Sequence, residues 1–225
     1  MSPPPSSAIG RRVGLIVVAG GRSTRWAGVD KTAQLLLGQP VLLHVVTAGL
    51  AGIQAATQAP DDAAPPPVVI VAPPAHPARA QIDRTHPQVR WTVEEPAGGG
   101  PVAALAAGLS MLAGSSDLVV VLAGDMPCAR TAVVRLVAAG RAEPDDAHPA
   151  GMVGIDPDGV RQPLLAIYRI GPLAEALAGL PPAHASMRSL LARLTLSTLP
   201  VTARESLDLD TPEALAVVER TLLDS

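Results

Sequence analysis

From Val13 onward the chain alternates between two kinds of apolar pattern. Short runs dense in β-branched residues, GLIVVAG at 14–20, VVIVA at 68–72, RWTVEE at 90–95 and LVVVLAGD at 118–125, read as strands, most of them apolar enough to be buried on both faces. GMVGID at 151–156 and PLLAIYR at 163–169 extend the set. Between them Ala, Leu and Val recur at helical spacing over 40–52, 77–84, 101–114, 130–142, 171–180, 186–194 and 211–223. Three of these segments open on proline, which the first helical position accepts because its N–H would have no partner there. Strands alternating with helices predict an α/β fold, a Rossmann-like three-layer sandwich around a mainly parallel sheet. Residues 1–12, rich in Pro and Ser with little to bury, are expected to be a disordered arm, and 13–225 a single domain. The Pro-rich stretches 59–67 and 142–150 read as surface loops.

Composition narrows the picture. With no Phe, two Trp and one Tyr, the core must be built from aliphatic side chains. Seventeen basic and 20 acidic residues give a net charge of −3, and no basic face interleaved with aromatics marks a nucleic-acid binder, so a small-molecule partner is expected. The lone Cys128 excludes an intrachain disulfide and a cysteine metal cluster, which fits a reducing compartment. Arg11-Arg12 before VGLIVVAG imitates an export signal, but the apolar run stops too soon, without a small-residue cleavage site. No run reaches the roughly 18 apolar residues of a membrane span, so a cytoplasmic protein is expected.

Of the 17 basic residues only Lys31 is a lysine, and it closes the stretch GGRSTRWAGVDK, 20–31, which follows the first strand. In open parallel sheets, ligands sit beyond the carboxyl ends of the strands, so this loop stands where a ligand would. Gly20 and Gly21 let backbone N–H groups approach an anion, Ser23 and Thr24 add hydroxyls, and Arg22, Arg25 and Lys31 add charge. A polyphosphate cradle follows. It is not a P-loop, which needs a glycine directly before its lysine, and it is not the G-x-G-x-x-G of a dinucleotide loop. Asp125 in LVVVLAGDMP falls at the end of a later strand on the same rim, where a carboxylate can hold Mg²⁺ against phosphates. In LDLDTPEAL, 207–215, Asp208 is a second candidate metal ligand, while Asp210 or Thr211 is expected to cap a helix that starts there. EEPAGGGP places three glycines before a helix start at Pro101, where backbone can approach a base or ribose.

VAGGRSTRWAGVDK, the following LLGQPVLL, GDMP and DLDTPE together resemble the motifs of the molybdenum cofactor guanylyltransferases, MobA-like nucleotidyltransferases. The resemblance implies a single nucleotidyltransferase domain that transfers GMP from GTP to a molybdopterin-type acceptor with Mg²⁺, releases pyrophosphate and hands its product to molybdoenzyme chaperones. It implies that Val18, Ala19 and Gly20 meet the nucleotide, that Arg25 and Lys31 hold its phosphates, and that Asp125 binds metal. Glu94, Gly100 and Pro101 align with the family's base-side segment, with Glu94 in place of Asp. Gln162 stands where the family has His in DGVRQPLLAIYR, and with Arg188 in ASMRSLL it is a candidate acceptor contact. Trp26 replaces the family's Met and is expected to pack the loop down; Tyr168 and Trp91 are expected in the core, and Cys128 as an inert thiol. Three alternatives stay open: CTP in place of GTP, another phosphorylated acceptor, and a silent nucleotide-binding protein.

Overall fold

A computed structural model of the chain describes residues 11–20, 26, 28–59, 63–142, 150–181 and 183–223. The expected arm falls mostly on residues 1–10, outside the described residues, while Arg11 donates to the Gly140 carbonyl and the Arg12 N–H to the Asp117 carboxylate at 2.8 Å. The strands are β1 (Val13–Val18), β2 (Leu35–Leu36), β3 (Gln39–Pro40), β4 (Val68–Val71), β5 (Val89–Thr92), β6 (Leu118–Ala123), β7 (Gly151–Ile155), β8 (Arg161–Arg169) and β9 (Ser197–Pro200). The helices are α1 (Val41–Thr57), α2 (Arg79–Thr85), α3 (Pro101–Leu112), α4 (Arg130–Ala142), α5 (Ile170–Ala178), α6 (Met187–Leu191) and α7 (Ala214–Leu223).

Seven strands form one sheet in the order β5-β4-β1-β6-β8-β7-β9, and β2 with β3 makes a separate small hairpin. The β5-β4-β1-β6 half is parallel; β8 runs antiparallel to both β6 and β7, and β9 is parallel to β7. The central strands are apolar on every residue because both faces are covered. Leu15 and Val17 of β1, with Leu118, Val120 and Leu122 of β6, face α1 and α4; Ile16 and Val119 and Val121 face α3 and α5. This is the three-layer α/β architecture expected of the sequence, with the mainly parallel sheet in the middle.

Local signals hold with adjustments. Of the three helix-initial prolines, Pro101 lies inside the first turn of α3, Pro40 is the residue before α1, and α2 starts only at Arg79. β9 and the β2–β3 hairpin escape the sequence pattern because their residues alternate or are exposed, so no continuous apolar run marks them.

The chain leaves β1 toward β4 on one side and leaves β6 toward β7 on the other. Strand order therefore reverses between β1 and β6, which opens a crevice at their carboxyl ends. The two ends come very close: the Gly124 N–H donates to the Val18 carbonyl at 2.8 Å, and a Cβ on Gly124 would lie 2.8 Å from that of Ala19. Only glycine fits between them.

The chain after β9 is tied to α4 by Glu205, which is 4 % exposed. Its carboxylate accepts from Thr131 at 2.8 Å, Arg135 at 2.6 Å and the Thr202 N–H at 2.8 Å, and its own N–H returns to the Thr202 hydroxyl, so T-x-x-E acts as a reciprocal cap. Burial opposes ionisation, but these donors outweigh it and hold the Glu205 carboxyl below its ordinary 4.5. A group depressed in the folded state stabilises above its unfolded pKa and loses that contribution as pH falls through its folded value. Glu205→Gln should therefore cost about 2 kcal/mol near neutral pH by denaturant unfolding. The gap to wild type should narrow as the pH is lowered below 4.5.

Candidate active site

The crevice is a cleft of about 510 Å³, floored by Val18, Ala19 and Gly20 on one side and Ala123, Gly124 and Asp125 on the other. Lys31 enters it from the 3₁₀ turn Lys31–Ala33. Its ammonium makes an ion pair with Asp125 and another with Asp210, the latter at 3.2 Å. Burial works against the charge on Lys31, but the hydrogen bonds and fields of Asp125 and then Asp210 outweigh it and hold the ammonium above its usual pKa. Asp125, Asp208 and Asp210 each present a carboxylate oxygen, all within 4.8 Å of one another. Burial, then the negative charges of Asp210 and Asp125, push the Asp208 carboxyl up, with Lys31 pulling the other way.

Three converging carboxylates repel one another and persist only if cations compensate them. One ammonium does so in part. The remaining charge and an all-oxygen donor set fit a hard divalent ion of the Mg²⁺ type. Asp210 is the member that the sequence disguised. α7 begins at Ala214, and the Asp210 carboxylate is turned to Lys31. The cause lies in the residue between the two acids. Leu209 is fully buried; its N–H donates to the Asp125 carbonyl at 3.2 Å, and its carbonyl accepts the Trp26 indole N–H at 3.1 Å. With Leu209 held from both sides, the flanking acids are carried to Asp125. Trp26, itself buried, thus anchors the acidic segment; the loop it was expected to pack down lies largely outside the described residues.

At the other end of the cleft, Glu94, Gly98, Gly100 and Pro101 form the wall. Gly100 sits at φ +92, a conformation that favours glycine, just before Pro101 opens α3. The Glu94 carboxylate accepts the N–H groups of Gly98 at 2.9 Å and Gly100 at 3.1 Å, so it shapes the glycine turn as well as lining the cleft. Gln162, Pro163, Leu164 and Met187 line the remaining wall. The Gln162 amide donates to Asp156 at 2.8 Å, and Asp156 is held in turn by the N–H groups of Asp158 and Val160. Arg188 is exposed on α6; its neighbour Met187 lines the cleft and Arg188 does not. Gly21, Arg22, Ser23, Thr24 and Arg25 lie outside the described residues. Tyr168 is in the core, its hydroxyl on the Pro163 carbonyl and its phenol pushed up by burial. Trp91 packs beside the core rather than in the cleft. Cys128 is buried and its thiol is pushed up by burial, against a weaker pull from Arg204, as an inert thiol would be.

An α/β sheet whose cleft lies at the strand-order reversal, with one ammonium facing a carboxylate cluster, suits a nucleotidyltransferase. The chain belongs to the family of MobA-like NTP transferase domains, which it matches over residues 15–198. Among solved structures it is similar to molybdopterin-guanine dinucleotide biosynthesis protein A from Archaeoglobus fulgidus, at 20 % identity and TM-score 0.66, covering 94 % of this chain and all of that one. It is similar to a Mycobacterium tuberculosis protein at 24 % identity and TM-score 0.63, covering 96 % and 99 %. A third is 4-diphosphocytidyl-2C-methyl-D-erythritol synthase from Anaerococcus prevotii, at 11 % identity and TM-score 0.66, covering 95 % and 99 %. At these identities the likeness speaks for the fold. No curated protein matches the chain. Among the described residues no helix is long and apolar enough to cross a membrane.

Replacing Trp26 by Phe keeps the ring and removes the indole N–H, which leaves the buried Leu209 carbonyl without that donor. We expect a loss of about 1–2 kcal/mol in unfolding free energy. An unchanged transition midpoint would show that the indole N–H does not hold the acidic segment.

Proposed function

We propose that this nucleotidyltransferase moves GMP from GTP onto the phosphate of a molybdopterin-type acceptor and releases pyrophosphate. The observation that carries the reading is the meeting of Lys31 with Asp125, Asp208 and Asp210 at one end of a cleft whose other walls are a glycine turn and a mostly apolar acceptor side. Val18, Ala19 and Gly20 receive the nucleotide along β1, with Glu94, Gly100 and Pro101 on the base side. The sequence A-G-G at the loop, where cytidylyl relatives tend toward A-A-G, favours guanine. Gln162, fixed by Asp156, meets the acceptor inside the cleft, and Arg188, exposed on α6 beside the cleft-lining Met187, meets it from outside.

In the reaction an acceptor phosphate oxygen attacks the α-phosphorus of the nucleotide, the bond to the β-phosphate breaks, and pyrophosphate leaves with the electron pair. The protein's task is positioning and charge stabilisation. Lys31, together with Arg25, meets the phosphates; the ammonium that here faces Asp125 and Asp210 is within reach of phosphate oxygens in the same cleft. Asp125, Asp208 and Asp210 would hold Mg²⁺, which supplies neutralisation of the triphosphate and a fixed orientation for in-line displacement. A cytoplasmic location fits the lone thiol of Cys128, and transfer of the product to molybdoenzyme chaperones would follow.

Two measurements test this. Titration with GTP, CTP and ATP in the presence of Mg²⁺ should show GTP bound most tightly; tighter CTP binding would move the assignment to a cytidylyl donor while keeping the transferase class. Pyrophosphate release by Lys31→Ala should fall by about 10²-fold to 10³-fold, and Lys31→Arg should recover only part of it, because a guanidinium demands fork geometry. A near-normal rate in purified Lys31→Ala would remove Lys31 from the reaction.

A further inference from the structure

The loop after β4 carries a histidine that the reaction as described does not use. His76 is buried, with its side chain 0 % exposed, and it lies directly behind the turn that bears Lys31. Its Nδ1 accepts the N–H of Ala78 at 3.2 Å, so the ring proton is assigned to Nε2. Nε2 lies 2.8 Å from the Thr32 hydroxyl and 3.1 Å from Oδ2 of Asp30. The other oxygen of Asp30 accepts the Thr32 N–H at 2.9 Å and the Thr32 hydroxyl at 2.7 Å. Asp30 and Thr32 are the residues on either side of Lys31, and all three line the cleft. Thr32 is buried as well.

The imidazole is itself held. Trp91 of β5 packs on it with ring centroids 6.0 Å apart, its indole N–H fixed by Asp83 at 2.7 Å and its face covered by the Arg79 guanidinium at 5.3 Å. A continuous chain of contacts thus runs from β5 through the ring to the two residues flanking the ammonium. Burial opposes ionisation of Asp30, but the hydrogen bonds from His76 and Thr32 outweigh it and keep the carboxyl below its ordinary value.

The geometry assigns His76 as a positioning residue: through Asp30 and Thr32 it fixes the turn that aims Lys31 at the carboxylates and the nucleotide phosphates. This rests on the transferase reading for its effect on rate, but not for its effect on Lys31 itself. Displacement of a charged group by about 1 Å can cost 10²-fold in a reaction that depends on its placement.

Because Lys31 is the chain's only lysine, its amine can be followed directly. Acetylation with acetic anhydride, read by mass spectrometry on the peptide containing residue 31 and referenced to the N-terminal amine, reports how firmly the ammonium is held. His76→Leu fills the volume without a donor; His76→Gln returns an amide N–H near the place of Nε2. We expect His76→Leu to acetylate at Lys31 several-fold faster than wild type and His76→Gln to lie close to wild type. In pyrophosphate release, His76→Leu should lower kcat by about 10-fold to 100-fold with KM for the nucleotide little changed, and His76→Gln should restore most of the loss. Thermal unfolding accompanies each variant. Wild-type acetylation and kcat in His76→Leu would overturn the assignment, as would equal losses in both variants that track a fall in melting temperature. If wild type releases pyrophosphate from no nucleoside triphosphate, the transferase reading fails, and the acetylation rates alone then decide the role of His76.

Discussion

Asp125, Asp208 and Asp210 cannot share a few ångströms without compensation, and Lys31 is the positive group that the described residues bring to them. Like charges at this separation repel by a few kcal/mol even where solvent raises the effective dielectric constant, so the acidic segment would move apart if its backbone were free. It is not free. Leu209 is buried with both of its backbone polar groups bonded, its N–H to the Asp125 carbonyl and its carbonyl to the Trp26 indole N–H, and those contacts hold the carboxylates together against their repulsion. Local stability is spent on creating a concentrated negative field. The strand-order reversal between β1 and β6 then directs that field into a cleft large enough for a nucleotide.

Much of this is legible in the amino-acid sequence itself. The central strands and most helices are marked by apolar runs and by periodicity, and the motifs that hold Lys31 and Asp125 name two residues that the structure brings together. What stayed hidden depends on contacts between distant segments. Asp210 reads locally as a helix cap because D-T-P-E has the right residues, and only the docking of Leu209 against Asp125 brings its carboxylate to Lys31. His76 shows no ligand spacing and no motif; its partners are 44 and 46 residues away, at Thr32 and Asp30. β8 reads as another strand, but its direction is set by pairing with β6 and β7 rather than by its own sequence.

Glu94 and Gln162 illustrate a further limit. Each occupies a position where the family resemblance supplies a different residue, and in each case the structure shows what the longer or neutral side chain does with its reach. Glu94 extends to two N–H groups of the glycine turn, and Gln162 is pinned by a carboxylate that an imidazole in its place would meet differently. Sequence marks the substitution. Only the partners reveal that one residue shapes a wall and that the other has its amide orientation fixed from behind.

The one lysine among seventeen basic residues stands at the cleft. A guanidinium offers donors in a planar fork and binds best to one carboxylate or phosphate presented edge-on. The position of residue 31 demands something else: a charge small enough to stand beside Asp125 while still reaching Asp210 at 3.2 Å, in a space where the side chain is only 19 % exposed. An ammonium carries three donors on a single atom and can exchange one oxygen partner for another by rotating about its stem, without rebuilding a bidentate pair. At the one site where the cation stands between two carboxylates in a confined space, the point charge of lysine is the better fit.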